Sequence, residues 1–510
     1  VLFGDILRLS ARRHPRKAAL IDAAGETSYG ELDAGANQFA HAVLGLGLGR
    51  GDAVAIMSRN VAEYAVAMFG TARTGCLLAN LSPAYGPREI THILNKTRAK
   101  LMVLEAGLAE RVTALRSALP FLEHIVTIGA YGDGTPFARF VAGRSTTAPD
   151  ARCDPGDPFI LTFTGGTTGV PKGALCSHRA RYVSACTAAI EHGLVGNDVC
   201  AVVTPMYHAI GGYVWLPGAI LLGCTCALLP RWSPEAFAEL VRRHGVSAAL
   251  MVPVQLKETI DDRSSGGKKF ASLRKIGVGG ATASADLIAA AAERLPHAPV
   301  TDHYGQSETG PLTFLKPWHP KEKWDSIGRA AVGVDLEVVD PEGRPVAAGE
   351  VGEIVSRGPF LMERYFEEPG ETAAYFKNGD GWGWTGDLAV RDEDGFITLV
   401  GRSKDMIVSG GINVYPREVE AVLEDHPAVA ECTVFGVPDE KWGEALVAYV
   451  VTRPGAAVEP EALIECCARE LARFKRPREV RLVDAIPRTA AGKIQKRLLR
   501  EAYLAERTRG

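Results

Sequence analysis

The densest chemistry in the chain lies in Thr162-Phe163-Thr164-Gly165-Gly166-Thr167-Thr168-Gly169-Val170-Pro171-Lys172-Gly173. Glycines let a backbone turn sharply and approach a ligand closely. Hydroxyls and successive exposed N–H groups can wrap anionic oxygens, and Lys172 adds a positive charge. The Walker register G-x-x-x-x-G-K-[ST] is absent. The apolar run Phe159 to Phe163 precedes the segment and reads as a buried strand. The expectation is a phosphate-cradling loop at a strand end, followed by a helix near Ser177 to Ile190.

Other segments with chemical potential follow in order. They are Pro205-Met206-Tyr207-His208-Ala209-Ile210-Gly211-Gly212, Gly279-Gly280-Ala281, His303-Tyr304-Gly305-Gln306-Ser307-Glu308-Thr309, Trp384-Thr385-Gly386-Asp387, Gly401-Arg402-Ser403-Lys404-Asp405, and Arg488-Thr489-Ala490-Ala491-Gly492-Lys493. With the first loop, these resemble the signatures of the adenylate-forming superfamily. That superfamily includes acyl- and aryl-CoA synthetases, adenylation domains of nonribosomal peptide synthetases, and beetle luciferases. The resemblance covers nearly the whole chain, and the order of the motifs makes it specific.

The resemblance implies a two-step ligase. A carboxylate attacks the α-phosphorus of ATP, giving an acyl-adenylate and pyrophosphate, and a thiol such as that of coenzyme A then takes the acyl group. Two anions must meet in the first step, so the site needs positive charge and aligned donors. By resemblance, Lys493 stabilises the α-phosphate and carboxylate oxygens. Glu308, helped by the Thr168 hydroxyl, holds Mg²⁺, which favours oxygen ligands. Thr164, Gly165, Gly166, Thr167, Thr168, Gly169 and Lys172 meet the triphosphate. Tyr304 and Gly305 lie against the adenine, with Gly280 and Ala281 opposite. Asp387 and Arg402 hold the ribose. Lys404 is the hinge about which a C-terminal domain rotates, and Gly410 and Gly411 then line the pantetheine tunnel. His208, Tyr213 and Gly279 border the acid.

Two positions depart from the family pattern. Gly165 stands where many relatives have Ser, and Trp384 where many have His. Amino-acid adenylation domains usually carry an Asp around residues 207 to 209 for the substrate ammonium. Tyr207, His208 and Ala209 disfavour that substrate. Gly211 to Gly223 contains no cation, which favours an apolar acyl or aryl acid over a dicarboxylate. The alternatives are transfer to a carrier-protein phosphopantetheine and a non-catalytic relative. The presence of both Glu308 and Lys493 counts against the latter.

These residues need a scaffold. Ser28-Tyr29-Gly30-Glu31 predicts a capped helix through about Leu46. The glycines from Gly45 to Gly51 follow that helix, so they predict a C-cap and turn before the strand Ala53 to Met57, not a dinucleotide loop. Short apolar runs alternate with helical segments as far as residue 330, which predicts substantially parallel sheets. Strand signals among Gly and Asp turns then predict a more antiparallel unit, followed by a final α+β pattern. The expected class is α/β: a large N-terminal region of α/β subdomains plus a β-barrel-like subdomain, and a small mobile α+β C-terminal domain. The expected division is 1–403 (subdomains about 1–158, 159–330 and 331–403) and 404–510.

Composition bounds the partners. At 510 residues the chain exceeds one compact core. Charged residues make up 23% and hydrophobic residues 46%, as in ordinary globular proteins. The net charge of -3 lacks the basic footprint of a nucleic-acid binder. None of the ten cysteines has C-x-x-C spacing, so buried thiols in a reducing cytoplasm are expected. The opening residues lack the apolar core and small-residue cleavage site of a secretory leader, so none is expected in them. Ala209 to Pro230 is uncharged and long enough to span a bilayer, but its glycines and Pro217 predict helix, turn and buried strand instead.

Overall fold

The structure is a computed structural model that describes residues 1–130, 132, 134–164, 171–261, 268–409, 412–488 and 494–507, with Thr164 and Lys268 described by backbone alone. Apolar runs become strands where the sequence predicts them. Ala53–Met57 is buried at every position, and Leu101–Glu105 and His124–Ile128 are further short strands. The helix Tyr29–Gly45 starts at a reciprocal cap. Ser28 Oγ accepts from the Glu31 amide at 3.2 Å, and Glu31 Oε2 accepts from the Ser28 amide at 2.8 Å. Pro234–His244 starts at the Ser233 cap and ends at Gly245, whose φ of 62° suits glycine.

The uncharged stretch after His208 resolves as a π-helical turn, Ile210–Trp215, then the helix Leu216–Leu222. Gly223 turns the chain at φ 81° into the strand Thr225–Leu228. Among the described residues, no helix is long and apolar enough to cross a membrane. All ten cysteines are free thiols.

The chain divides into two units. The first comprises Val1–Leu336 and Ser356–Gly383, and it holds two large sheets. In one, the strands Ala18–Asp22, Thr225–Leu228, Val199–Val202, Ala248–Met251, Lys275–Gly279 and Val300–Gln306 run parallel, neighbour to neighbour. Antiparallel strands finish both edges. In the other, Pro158–Thr164 lies parallel to Leu77–Asn80, which begins a further parallel series. A core containing Phe3, Phe39, Phe69, Phe159, Tyr64 and Trp215 joins helices to strands. Phe3 stacks 5.5 Å from Phe69 and tilts 5.1 Å from Phe159. Each such ring contributes roughly 1.5–3 kcal/mol by burial.

One sequence expectation fails here. Lys172–Ser177 is a strand, antiparallel to Pro158–Thr164, where only a loop leading into a helix was expected. Its Lys-Gly-Ala-Leu-Cys-Ser sequence lacks β-branched residues, but pairing across the hairpin overrides that weak local preference. The helix His178–Glu191 then starts at the Ser177 cap.

The second unit comprises Glu337–Val355 and Trp384–Gly510. The antiparallel pair Gly383–Arg391 and Ile397–Arg402 belongs to a four-stranded sheet. A second sheet is built on Val429–Asp439 and Gly443–Thr452, with Glu479–Leu482 added in parallel. The helices Pro416–Glu424 and Pro460–Glu470 bury Val419, Leu423, Leu463 and Cys467 against it.

Candidate active site

In the first unit, the parallel register sets Gly279 opposite His303. Gly280 and Tyr304 therefore sit side by side at the carboxyl ends of neighbouring strands, although 23 positions separate them in sequence. Such ends are where open α/β sheets present ligand sites. Gly280 turns at φ 84°, and a Cβ there would stand 3.1 Å from Ile210 Cδ1. A Cβ on Gly305 would meet the Gly310 carbonyl oxygen at 2.1 Å, so the backbone after Tyr304 closes to glycine dimensions. Ala281 is exposed beside Gly280.

Glu308 lies in the tight turn between Val300–Gln306 and Gly310–Leu315. Thr309 Oγ1 fixes that turn by accepting from the Gln306 amide at 3.0 Å. Glu308 is buried, and its Oε1 accepts from the Tyr365 hydroxyl at 2.8 Å. Burial, and then the adjacent Glu308 charge, push the Tyr365 phenol above its ordinary range, so it remains a donor. The Glu308 carbonyl accepts from the Met362 amide at 2.6 Å. Below the turn, fully buried Arg181 donates to the Ser307 carbonyl at 2.9 Å and also reaches Cys176 Sγ. A Cβ on Gly310 would stand 2.4 Å from Ser184 Oγ on the same helix, so glycine lets the turn rest on that helix.

The hairpin of Pro158–Thr164 and Lys172–Ser177 closes with Thr164 paired to Lys172. It therefore brackets the Gly/Thr segment at its two ends. Gly165, Gly166, Thr167, Thr168 and Gly169 lie outside the described residues, as does the Thr164 side chain. Lys172 Nζ lies 2.6 Å from Glu371 Oε1. An anion at that ammonium would meet a cation already shared with a carboxylate.

His208 follows a segment held by Asn60. The Asn60 amide donates to the carbonyls of Val202 at 3.0 Å and Thr204 at 3.1 Å, while its Oδ1 accepts from the Met206 amide at 2.8 Å. The His208 ring lies 4.6 Å from the Tyr207 ring. Gly211 and Gly212 pack the next turn onto that backbone. A Cβ on Gly211 would stand 2.4 Å from the Pro205 oxygen, and one on Gly212 would stand 2.0 Å from the Met206 oxygen. Tyr213 is buried in the core, and its hydroxyl lacks a hydrogen-bond partner among the described residues.

In the second unit, Asp387 and Arg402 are directly paired across Gly383–Arg391 and Ile397–Arg402. Gly386 turns at φ 72° and donates to Glu353 Oε1 at 2.9 Å. The Asp387 amide donates to Thr385 Oγ1 at 3.1 Å. Lys404 sits in the single 3₁₀ turn Ser403–Asp405. Gly410 and Gly411 lie outside the described residues, between paired Ser409 and Ile412. Lys493 also lies outside them, and flanking Arg488 and Ile494 form an antiparallel bridge.

Sequence reasoning missed Tyr365, Arg181 and Asn60. Tyr365 is 57 positions from Glu308, and no local pattern ties the two together. Arg181 carries a faint signal: a charged residue on the apolar face of the helix His178–Glu191.

Residues 7–366 match the model of the AMP-binding enzyme family, and residues 418–493 match its C-terminal domain. The chain belongs to the AMP-binding enzyme family. As such it is an ATP-dependent, AMP-forming ligase of the acyl-CoA synthetase branch. This AMP-binding enzyme is 33% identical to the fatty acid–[acyl-carrier-protein] ligase ScoC of Streptomyces coeruleorubidus, over 98% of this chain and 96% of that one. It is also 33% identical to the medium/long-chain-fatty-acid–CoA ligase FadD8 of Mycobacterium tuberculosis, over 98% and 90%. Among solved structures it resembles the anthranilate CoA ligase AuaEII in complex with anthranoyl-AMP. That match has a TM-score of 0.89 and 27% identity, covering 98% of this chain and 97% of that one.

Proposed function

We propose that this AMP-binding enzyme activates an apolar acyl or aryl acid with ATP, releases pyrophosphate, and passes the acyl group to the thiol of coenzyme A. The observation that carries the reading is the Glu308 turn. A buried carboxylate, oriented by Tyr365, sits at the end of the strand that presents Tyr304. A single carboxylate beside a polyphosphate suits Mg²⁺, which is commonly held by one or two carboxylates plus substrate phosphates. Mg²⁺ would neutralise phosphate charge there. Among the described residues no cluster of three His, Cys, Asp or Glu side chains forms a separate metal cage.

The protein's own groups then have distinct tasks. Tyr304 and Gly280 with Ala281 border the adenine. Asp387 accepts from the ribose hydroxyls while Arg402 orients it. Residues 164–169 and Lys172 contact the phosphates, with Thr168 supporting Glu308 at the metal. Lys493 donates to the α-phosphate and carboxylate oxygens as charge moves between them. His208, Gly279 and Tyr213 border the acid and the route by which the thiol arrives. Residues 404–510 act as the mobile domain, turning at Lys404, and Gly410 with Gly411 leave room for pantetheine. Domain alternation is a shift between populated states, each favoured by its own ligands.

A second reading is transfer to a carrier-protein thiol, favoured by the similarity to ScoC. Both acceptors present the same pantetheine thiol. Pyrophosphate release across a panel of carboxylic acids, with and without CoA, tests the proposal. Acid-dependent release with acyl-CoA formation supports it. An acyl-adenylate that CoA never discharges, but a phosphopantetheinylated carrier does, would favour the second reading. Release independent of any acid would remove both.

A further inference from the structure

The strand Lys275–Gly279 alternates Ile276 and Val278 with Gly277 and Gly279. Alternate residues of a strand share one face, so beyond Lys275 the two glycines leave that face of the strand without side chains. A side chain elsewhere fills each gap. A Cβ on Gly279 would stand 2.6 Å from both Cε1 and Nε2 of His303. A Cβ on Gly277 would stand 2.7 Å from both Cε1 of His192 and Cδ1 of Leu250. Gly280, one residue beyond the strand, faces Ile210 Cδ1 instead.

The helical turn Ile210–Trp215 follows the same path. Ile210 meets Gly280, and at the other end Trp215 packs edge-on against His192 with centroids 5.4 Å apart. The contact begun by Ile210 and Gly280 thus continues along the glycine face, first over His303 and then over His192. The two imidazoles lie 5.2 Å apart, at 76° to each other. Phe314 closes the cluster, 5.3 Å from His192 and 5.5 Å from His303. Both histidines are buried, and burial drives both below their ordinary proton affinity, so the rings are neutral. They act as bulk.

Resting on the acid-ligase reading above, we propose that His303, backed by His192, is the floor of the acid pocket and selects compact acids, short acyl chains or single aromatic rings, over long-chain fatty acids. A long chain extending past Gly279 would need the volume that the His303 ring holds. Strands rise about 3.3 Å per residue, so the two glycines mark a trough roughly 7 Å long. Clearing His303 opens its near half, whereas the far half is filled by His192 together with Leu250.

The test compares kcat/KM for pyrophosphate release with hexanoate, benzoate, dodecanoate and hexadecanoate. The wild-type enzyme should use hexanoate or benzoate at least about tenfold better than dodecanoate, within the range that pocket fit supplies. His303→Gly should raise the dodecanoate-to-hexanoate ratio about tenfold, whereas His303→Phe, which keeps the bulk, should not. Inhibition of the wild-type enzyme by acyl-sulfamoyl-adenosines gives the same answer without a variant. The hexanoyl compound should bind at least about tenfold more tightly than the dodecanoyl one. Equal use of hexanoate and dodecanoate by the wild type would overturn this inference alone. So would an unchanged ratio in a folded His303→Gly enzyme. Silence with every acid would overturn the ligase reading and this inference together.

Discussion

Asp387 and Arg402 face each other across two antiparallel strands, with Arg402 Nε 2.8 Å from Asp387 Oδ1. Fifteen positions apart in sequence, they become one unit through strand register. The Asp387 side chain is almost wholly buried, while that of Arg402 is 43% exposed. This asymmetry suits an acceptor held in place by a solvated cation.

Replacing Asp387 by Ala should therefore impair nucleotide use more than folding. An ion pair with one exposed member contributes only about 0–1 kcal/mol. We expect kcat/KM for ATP to fall about 10²-fold or more, since charged hydrogen bonds to a ligand are worth about 1.5–3 kcal/mol each. Melting should change by a few degrees at most. Steady-state kinetics alongside thermal unfolding check this, and a collapse in melting with little kinetic effect would reassign Asp387 to structure.

Glu308→Gln keeps the shape of the turn and removes the charge. Activity should drop about 10²-fold or more, and raising Mg²⁺ should not restore it, because charge placed near the reacting phosphates dominates such sites. Tyr365→Phe removes only the donor to Oε1. It should raise the Mg²⁺ concentration for half-maximal rate several-fold while sparing kcat at saturation. Mg²⁺ titrations of both variants decide the matter.

Lys493→Ala should separate the two half-reactions. Adenylation should fall by at least about 10²-fold, the usual cost of losing a transition-state donor. Conversion of supplied acyl-adenylate and CoA to thioester should persist. Equal loss in both steps would remove Lys493 from the first step specifically.

Acid should destabilise the fold before it protonates ordinary carboxylates. Burial pushes His178 and His303 down to about 4 and holds His192 well below its ordinary range. Their folded-state values lie below the unfolded value of about 6.5, so the unfolded chain binds these protons first. The stability they contribute is complete above that value and is lost as pH falls through the window toward 4. Asp302 works in the opposite sense, because burial raises it to about 7 and the folded state holds its proton from there down to the ordinary carboxylate range. Three histidines against one carboxyl leave a net loss on acidification. His178→Phe keeps the stack on Phe159, whose ring is 4.6 Å away at 12°, and removes one titrating group. Its melting temperature should decline less between pH 6.5 and 4.5 than that of the wild type. Parallel declines in a pH series of melting curves would refute the assignment.

Elements bounded by local chemistry were legible in the sequence. Ser28 and Glu31 cap the start of one helix, and the apolar run at Ala53–Met57 forms a central strand. Elements that depend on partners were not. Lys172–Ser177 is a strand because Pro158–Thr164 lies beside it, and its own residues barely favour that state. The site divides in the same way. Glu308, Asp387 and His208 stood out through neighbours along the chain. Tyr365 orients Glu308, and Asn60 clamps the approach to His208, across distances that no spacing rule encodes. His303 stood in plain view beside Tyr304, but that its ring fills the space over Gly279 depends on which face of the adjacent strand carries the glycines.

Gly212 carries a consequence for how such an enzyme can diversify. Its missing side chain would lie 2.0 Å from the Met206 carbonyl oxygen, an atom of the main chain that cannot move aside. Random mutation can therefore explore little on the helical wall beside His208, because most changes at that position would be lost to misfolding before selection could act on activity. The opposite wall is freer, since side chains rather than main chain stand over Gly277 and Gly279. Directed evolution of this scaffold toward new acids should accumulate its successful changes at His303 and His192 and leave Gly211 and Gly212 untouched.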